Sequence, residues 1–374
     1  MASKLLSLVS LSTLAILAAS FGPEQVTALS SHGHLNRRVE HHAPLARKKR
    51  DSTTRCRARA TTSSAVATSS SSSSSSKAEA TTTKEAATTS TKAAATTKTS
   101  TSKASTSTGT SSSGGAGFSN GFGTSGHKIG LAWGMGNSPS VLSNFVTDHV
   151  VAIYDWSPSK PSGTDEHNLV FMPMLWDDAG DKISAFHSAM KSFDKSNTLI
   201  LGFNEINEPG QANMSGEQAA AVWKAQIEQY CSAGFKCATP SMSSRPNGNQ
   251  LMRDFFNACN GGCTVSHMAL HWYDTTFDKL TTYLEAYHDE FKLPILLTEF
   301  ADQNFNGGGQ ASMSDIWSFM TQVIPWVDKT DWMELAAPFG VMTDLQGVNT
   351  LNALLSGNAK TPTDLGYYVI NNGN

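Results

Sequence analysis

The stretch Thr198-Leu199-Ile200-Leu201-Gly202-Phe203-Asn204-Glu205 is an unbroken apolar run that stops on an amide and a carboxylate. A second stretch repeats the pattern: Pro294-Ile295-Leu296-Leu297-Thr298-Glu299-Phe300. Neither alternates apolar with polar residues, so neither suits a sheet with one wet face. Continuous apolar runs suit strands covered on both sides. Six more runs of this kind flank them: Lys128–Trp133, Val150–Trp156, Leu169–Trp176, Cys237–Met242, His267–Tyr273 and Glu334–Gly340.

Helical spacing fills most of the gaps. Ser215 precedes Ala220, Val222, Trp223 and Ile227, as an N-capped helix would. Leu280, Tyr283, Leu284, Tyr287 and Phe291 share one face of a helix over Phe277–Phe291, and Ser312–Val327 has the same rhythm. The gap Ser157–Asn168 is loop-like. Eight buried strands alternating with helices predict an α/β fold, a parallel (β/α)8 TIM barrel. A doubly wound open sheet is the alternative, but no glycine-rich phosphate motif follows any run.

Composition sets the limits of that barrel. No Phe, Tyr or Trp occurs between Gly22 and Gly117, whereas all eight Trp lie from Trp133 onward. A segment without large apolar side chains cannot bury enough surface to offset its chain entropy. The catalytic domain is therefore expected over 118–374. Ahead of it, 1–20 reads as a signal peptide, with Lys4 before the apolar run Leu5–Ala19. The segment 21–50 reads as a propeptide ending at the basic cluster Arg47-Lys48-Lys49-Arg50. The segment 51–117 reads as a low-complexity linker, and Thr61–Ser113 holds 34 Ser or Thr in 53 residues. Secretion to the cell wall or medium follows from this order.

Charge narrows the partners. Phe118–Asn374 carries 13 Lys+Arg against 26 Asp+Glu, a net of −13, which offers no basic face to nucleic acid. No later segment is long and apolar enough for a membrane span. A monomer acting on a neutral polymer is expected. Cys231/Cys237 and Cys259/Cys263 are spaced for local disulfides, although four cysteines allow three connectivities, and Cys56 stands alone. They lack the CxxC spacing of zinc sites, so neither metal nor cofactor is expected. The histidines at 32, 34, 41 and 42 fall in the segment expected to be removed. Asn213-Met214-Ser215 is a glycosylation sequon.

In a β/α barrel, strand C-termini carry the active site. The fourth run delivers Asn204 and Glu205, the seventh Glu299, the sixth His271, Trp272 and Tyr273, the first and third Trp133 and Trp176. Two carboxyl groups flanking a glycosidic bond can act as acid and nucleophile, and aromatic faces suit sugar rings. The candidate catalytic pair is Glu205 and Glu299. Asn204, His271, Trp272, Tyr273, Trp133, Trp156, Trp176 and Phe339 are candidate substrate-binding residues, each Trp being equally a candidate for core packing.

These residues carry a resemblance. Gly202-Phe203-Asn204-Glu205 with Pro209-Gly210-Gln211-Ala212-Asn213-Met214-Ser215, His271-Trp272-Tyr273, Leu297-Thr298-Glu299-Phe300 and Lys128-Ile129-Gly130-Leu131-Ala132-Trp133 resemble the fungal β-1,3-glucanases of glycoside hydrolase family 128. The resemblance implies a (β/α)8 barrel, retaining hydrolysis, a β-1,3-glucan substrate, Glu205 as acid/base and Glu299 as nucleophile. One departure stands out. Ile206 replaces the proline that often follows Asn-Glu in the family, and a second Asn207-Glu208-Pro209 comes at once. Glu208 is thus a competitor for the acid or a subsite residue. Glu205 is preferred because it ends the apolar run and keeps the spacing to Gln211–Ser215. An endo-acting glucanase of fungal cell-wall remodelling is the expected function. A wall protein that binds β-glucan with little turnover is the alternative, as is a barrel glycosidase on another β-linked glucan or mannan.

Overall fold

The computed structural model describes residues 117–374. The expected leader, propeptide and almost all of the linker, with Cys56 and the basic cluster, lie outside the described residues.

All eight apolar runs contain strands: β1 Ile129–Ala132, β2 Val150–Tyr154, β3 Val170–Phe171, β4 Leu199–Leu201, β5 Lys236–Ala238, β6 Met268–Asp274, β7 Ile295–Asp302 and β8 Met333–Pro338. Each regular pairing is parallel, in the orders β3-β2-β1-β8-β7-β6 and β4-β5. Parallel bridges Phe171–Thr198 and Met174–Leu201 join β3 to β4, while Ala238–His267 and Met242–Leu270 join β5 to β6. The sheet therefore closes into a (β/α)8 barrel.

The helices are α1 Pro139–Leu142, α2 Gly180–Met190, α3 Gly216–Val222, α4 Glu228–Cys231, α5 Gly248–Cys259, α6 Phe277–Phe291, α7 Met313–Lys329 and α8 Asp364–Ile370. A π-helical turn over Trp223–Ile227 joins α3 to α4. The caps are local. Ser215 Oγ accepts the Gln218 N–H at 3.2 Å, and Ser312 with Asp315 forms a reciprocal capping box at α7. No helix separates β2 from β3, as the polar sequence of that gap predicts.

The buried apolar side chains form two shells. Ala132, Met172, Leu199, Leu201, Ala269, Leu296, Leu335 and Ala337 belong to an inner cluster. Ile129, Leu131, Ile200, Met268, Leu270, Ile295 and Leu297 belong to an outer one shared with the helices. Alternation along each strand sorts side chains between them.

The glycine-rich approach to the barrel does more than connect. Phe118 and Phe122 join the inner cluster; Lys236 Nζ lies 4.7 Å from the Phe118 ring, and Phe122 meets His267 edge-on. Lys236 and His267 stand at the N-terminal ends of β5 and β6, so the two Phe plug the end opposite the strand termini that carry chemistry.

Both folded cysteine pairs are local disulfides, Cys231–Cys237 and Cys259–Cys263, so these sulfurs are not thiolate ligands. Gly202 shows how tightly β4 meets its neighbour. A Cβ there would sit 2.6 Å from the Pro240 nitrogen and 2.8 Å from the Thr239 carbonyl carbon, both backbone atoms that cannot rotate away. Gly202→Ala is expected to cost about 1–3 kcal/mol by overpacking. Urea unfolding of the variant against wild type checks it, and an unchanged midpoint would refute the close approach.

Candidate active site

Glu205 and Glu299 meet at the C-terminal mouth of the barrel. Their carboxylate oxygens and a ring nitrogen of His271 lie within 4.8 Å of one another, and all three residues are buried. His271 Nδ1 is 2.8 Å from Glu205 Oε1 and 3.5 Å from Glu299 Oε2. That nitrogen faces two carboxylates, which assigns its proton to Nδ1. Burial holds the His271 pKa below its ordinary value, so the ring is the neutral donor.

Glu299 reaches this point through a defect in β7. Leu270 pairs with Leu297 and the next residue, His271, pairs with Glu299, so Thr298 is an extra residue without a partner on β6. Register with β8 shifts over the same residues. Such a bulge re-aims the side chains beyond it. Leu296 points inward; regular alternation would send Glu299 outward, and the bulge turns it in. Tyr154 clamps the bulge, its hydroxyl donating to the Thr298 carbonyl at 2.6 Å.

Two donors hold the Glu299 carboxylate. The Trp156 indole N–H reaches Oε1 at 2.6 Å, and the Tyr273 hydroxyl reaches Oε2 at 2.8 Å. Burial raises the Glu299 pKa, the facing His271 and these two hydrogen bonds pull it down, and Glu205 pushes it up. The Glu205 pKa is raised well above the ordinary value, first by burial and then by the negative charge of Glu208, with Arg245 opposing. Hydrogen bonds support charge on Glu299 and burial supports a proton on Glu205, the split that acid and nucleophile need.

Glu205 follows β4 in a left-handed backbone conformation, φ 47°. A non-glycine residue there costs about 1–3 kcal/mol unless its surroundings hold it. They do. The Glu205 N–H donates to Ser241 Oγ at 2.9 Å, and its carbonyl accepts the Glu208 N–H at 3.0 Å. The segment then folds back: Ala212 N–H donates to the Asn204 carbonyl and Met214 N–H to the Ile206 carbonyl, both at 3.0 Å. Asn204 Nδ2 also donates to Gln211 Oε1 at 3.0 Å. The spacing from Asn204-Glu205 to Gln211–Ser215 is thus the length of one closed loop.

The aromatic residues separate by shell. Trp156, Trp176, Tyr273 and Phe339 lie in the inner cluster. Trp156 and Tyr273 sit edge-on to Phe339, at 5.9 and 6.0 Å between ring centroids. Trp156 and Phe339 line an open cleft with Gly134 and the loop Met342, Thr343, Asp344 and Gln346. Trp176 lies under Lys182, whose Nζ is 3.9 Å from its ring and 2.6 Å from Asp177. Trp133 and Trp272 belong to the outer shell. Trp133 donates to the Gly136 carbonyl at 2.7 Å and packs on Phe145; Trp272 lies 5.3 Å from the Tyr283 ring. The structure thus places these two in the packing layer and the other candidates at the mouth.

Glu208 is also buried, but it is tied elsewhere: Oε1 accepts from Ser243 Oγ at 2.5 Å and from Arg245 Nε. Sequence reasoning missed Tyr154, Ser241, Ser243, Arg245 and the loop after β8. The alternation Ser241, Ser243, Arg245, which starts inside the fifth apolar run and continues past it, was the available signal.

A model of the glycosyl hydrolase catalytic core matches residues 130–368. The chain belongs to the glycosyl hydrolase catalytic core family. Among solved members of glycoside hydrolase family 128, a subgroup I endo-β-1,3-glucanase from Amycolatopsis mediterranei in complex with laminaritriose is 25% identical, with TM-score 0.52, covering 66% of this chain and 99% of that one. A subgroup VI exo-β-1,3-glucanase from Aureobasidium namibiae shares the fold at 24% identity and TM-score 0.56, covering 65% of this chain and 96% of that one. Alkali-sensitive linkage protein 1 of Schizosaccharomyces pombe is 28% identical over 234 residues, 61% of this chain. The match spans 42% of that relative's length. The resemblance to family 128 read from Asn204-Glu205 and Thr298-Glu299-Phe300 therefore holds at the level of the fold, within the glycosyl hydrolase catalytic core family.

Proposed function

We propose that this protein is a secreted glycosidase that cleaves β-1,3-glucan of the cell wall internally and with retention. Glu205 is the acid/base and Glu299 the nucleophile. The observation that carries the reading is that one oxygen of each carboxylate lies within 4.8 Å of the other. Retaining enzymes hold theirs about 5–5.5 Å apart, whereas inverting enzymes leave room for water at about 6.5–9.5 Å. The β-1,3-glucanases among the structural neighbours support the choice of glucan, and the apparent leader sequence supports secretion.

Glu205 donates its proton to the glycosidic oxygen as a Glu299 oxygen attacks the anomeric carbon from the opposite face. The aglycone leaves protonated and a glucosyl ester forms on Glu299. Glu205, now a carboxylate, takes a proton from water, which attacks the same carbon and frees Glu299 with the anomer restored. Asn204 is assigned to the sugar 2-hydroxyl, Trp156 and Phe339 to the ring faces.

Incubation of the protein with laminarin tests this. New reducing ends, early products longer than a disaccharide and a first-formed β-anomer in proton NMR are expected. An α-anomer first would exclude retention; binding to insoluble glucan without products would favour the wall-binding alternative. Removing one donor to Glu299 gives a finer check. Tyr273→Phe deletes a hydrogen bond to a charged group, worth about 1.5–3 kcal/mol, so kcat/KM is expected to fall about 10- to 100-fold. The bond lowers the Glu299 pKa, so its loss moves the acid limb of the pH profile to higher pH.

A further inference from the structure

The second Asn207-Glu208-Pro209 lies three residues beyond the glutamate assigned as acid and takes part in no step described above. It faces a strand extension with the opposite polarity. Ser241, Ser243 and Arg245 alternate along the segment after β5, and each bonds the Glu205–Glu208 turn. Ser241 Oγ accepts the Glu205 N–H at 2.9 Å. Asn207 Nδ2 donates to Ser243 Oγ at 2.9 Å while Asn207 Oδ1 accepts the Ser243 N–H at 2.9 Å. Glu208 Oε1 accepts from both Ser243 Oγ and Arg245 Nε. Glu208 is 2% exposed and its Oε2 has no protein partner, whereas the Arg245 side chain is 38% exposed at the rim. A buried carboxylate and its cation are therefore locked beside the strained backbone of the acid.

We propose that Glu208 and Arg245 are positioning residues, a charged clasp that fixes the Glu205 turn and so the setting of the acid during turnover. The proposal rests on Glu205 being the acid. Other groups also face Glu205: His271 and Tyr273 from β6, Glu299 from β7, Tyr154 from β2 and Tyr283 from α6. Among them the clasp is distinctive because its two members act in opposite directions: the Glu208 charge favours a proton on Glu205 and the Arg245 charge disfavours it. Removing either one should shift Glu205, and removing both should restore it.

Full-length wild type, Glu208→Gln, Arg245→Gln and the double variant would be assayed on laminarin across pH. In Glu208→Gln the alkaline limb should move down by about one pH unit, a tenfold change in proton affinity, with activity kept at acid pH. In Arg245→Gln it should move up, and in the double variant it should return close to wild type. The Glu205 carboxyl, carbon-13 labelled and identified by its absence in Glu205→Gln, should titrate in step. That resonance reads the clasp even if laminarin is untouched, in which case the proposed function fails and the clasp is judged alone. Equal titration of Glu205 in folded single variants would overturn the proposal. So would a loss of activity in Glu208→Gln at every pH as deep as in Glu205→Gln, because Glu208 would then be the acid. Arg245→Gln keeps the test open should Glu208→Gln not fold.

Discussion

Glu299→Gln is expected to reduce kcat/KM on laminarin by about 10⁴-fold or more, with binding of laminari-oligosaccharides largely kept. The amide is nearly isosteric: its oxygen can accept from the Trp156 N–H and its NH2 can donate to the Tyr273 hydroxyl, so the site keeps its shape. What disappears is the nucleophile, and with it the covalent route that divides one difficult displacement into two easier ones. Small anions separate this role from that of the acid. With an activated aryl β-glucoside of laminaribiose, azide should enter the space left in Glu299→Gly and yield an α-glycosyl azide. In Glu205→Ala the glycosyl ester still forms, and azide should intercept it from the other face to give the β-product. An α-azide from the Glu205 variant would reverse the two assignments, and activity near wild type in Glu299→Gln would remove Glu299 from the chemistry.

Glu205→Gln should lose about 10²- to 10⁴-fold on laminarin, the ordinary reach of general acid catalysis, and less on substrates whose leaving group needs no proton. The same substitution should stabilise the fold above the ordinary carboxylate range. The sign follows from proton linkage. Burial and Glu208 raise the Glu205 pKa well above 4.5. As pH rises past 4.5 the unfolded chain releases this proton while the folded chain keeps it. The unfolded state then binds fewer protons, so stability falls with pH until Glu205 itself ionises. Glutamine has no proton to lose. Denaturant melts should therefore show the variant gaining on wild type by up to about 1.4 kcal/mol per pH unit across that window. A constant difference between pH 4 and pH 7 would mean that Glu205 titrates normally.

The barrel was legible because parallel strands covered on both faces leave an apolar signature that survives without context. Each of the eight runs contains a strand, and the gap without helical spacing, Ser157–Asn168, contains no helix. The disulfides were legible for a similar reason. Cysteines six and four residues apart need little chain to meet, and both pairs closed locally. The aromatic rim was only partly legible. Trp133 and Trp272 end apolar runs as Trp156 does, yet they face the helices, because strand alternation fixes the side and a run without polar residues hides its phase. Arg245 was missed because the fifth run does not end on it; the alternating serines Ser241 and Ser243 come before the charge appears.

The two glutamates show the same division. Sequence by itself determined that carboxylates stand at the ends of the fourth and seventh apolar runs, and hence that both stand at one mouth of the barrel. It could not determine that they face each other. Regular alternation from Leu296 would send Glu299 outward, and only the extra residue at Thr298, clamped by Tyr154 from across the barrel, turns it in. Glu205 holds a left-handed backbone that its own residue type disfavours, because Ser241 and Glu208 satisfy its peptide groups. Bulges and strained turns are stabilised by contacts distant in sequence. A pattern of neighbours along the chain therefore places such residues at the site, and only the closed sheet decides where they point.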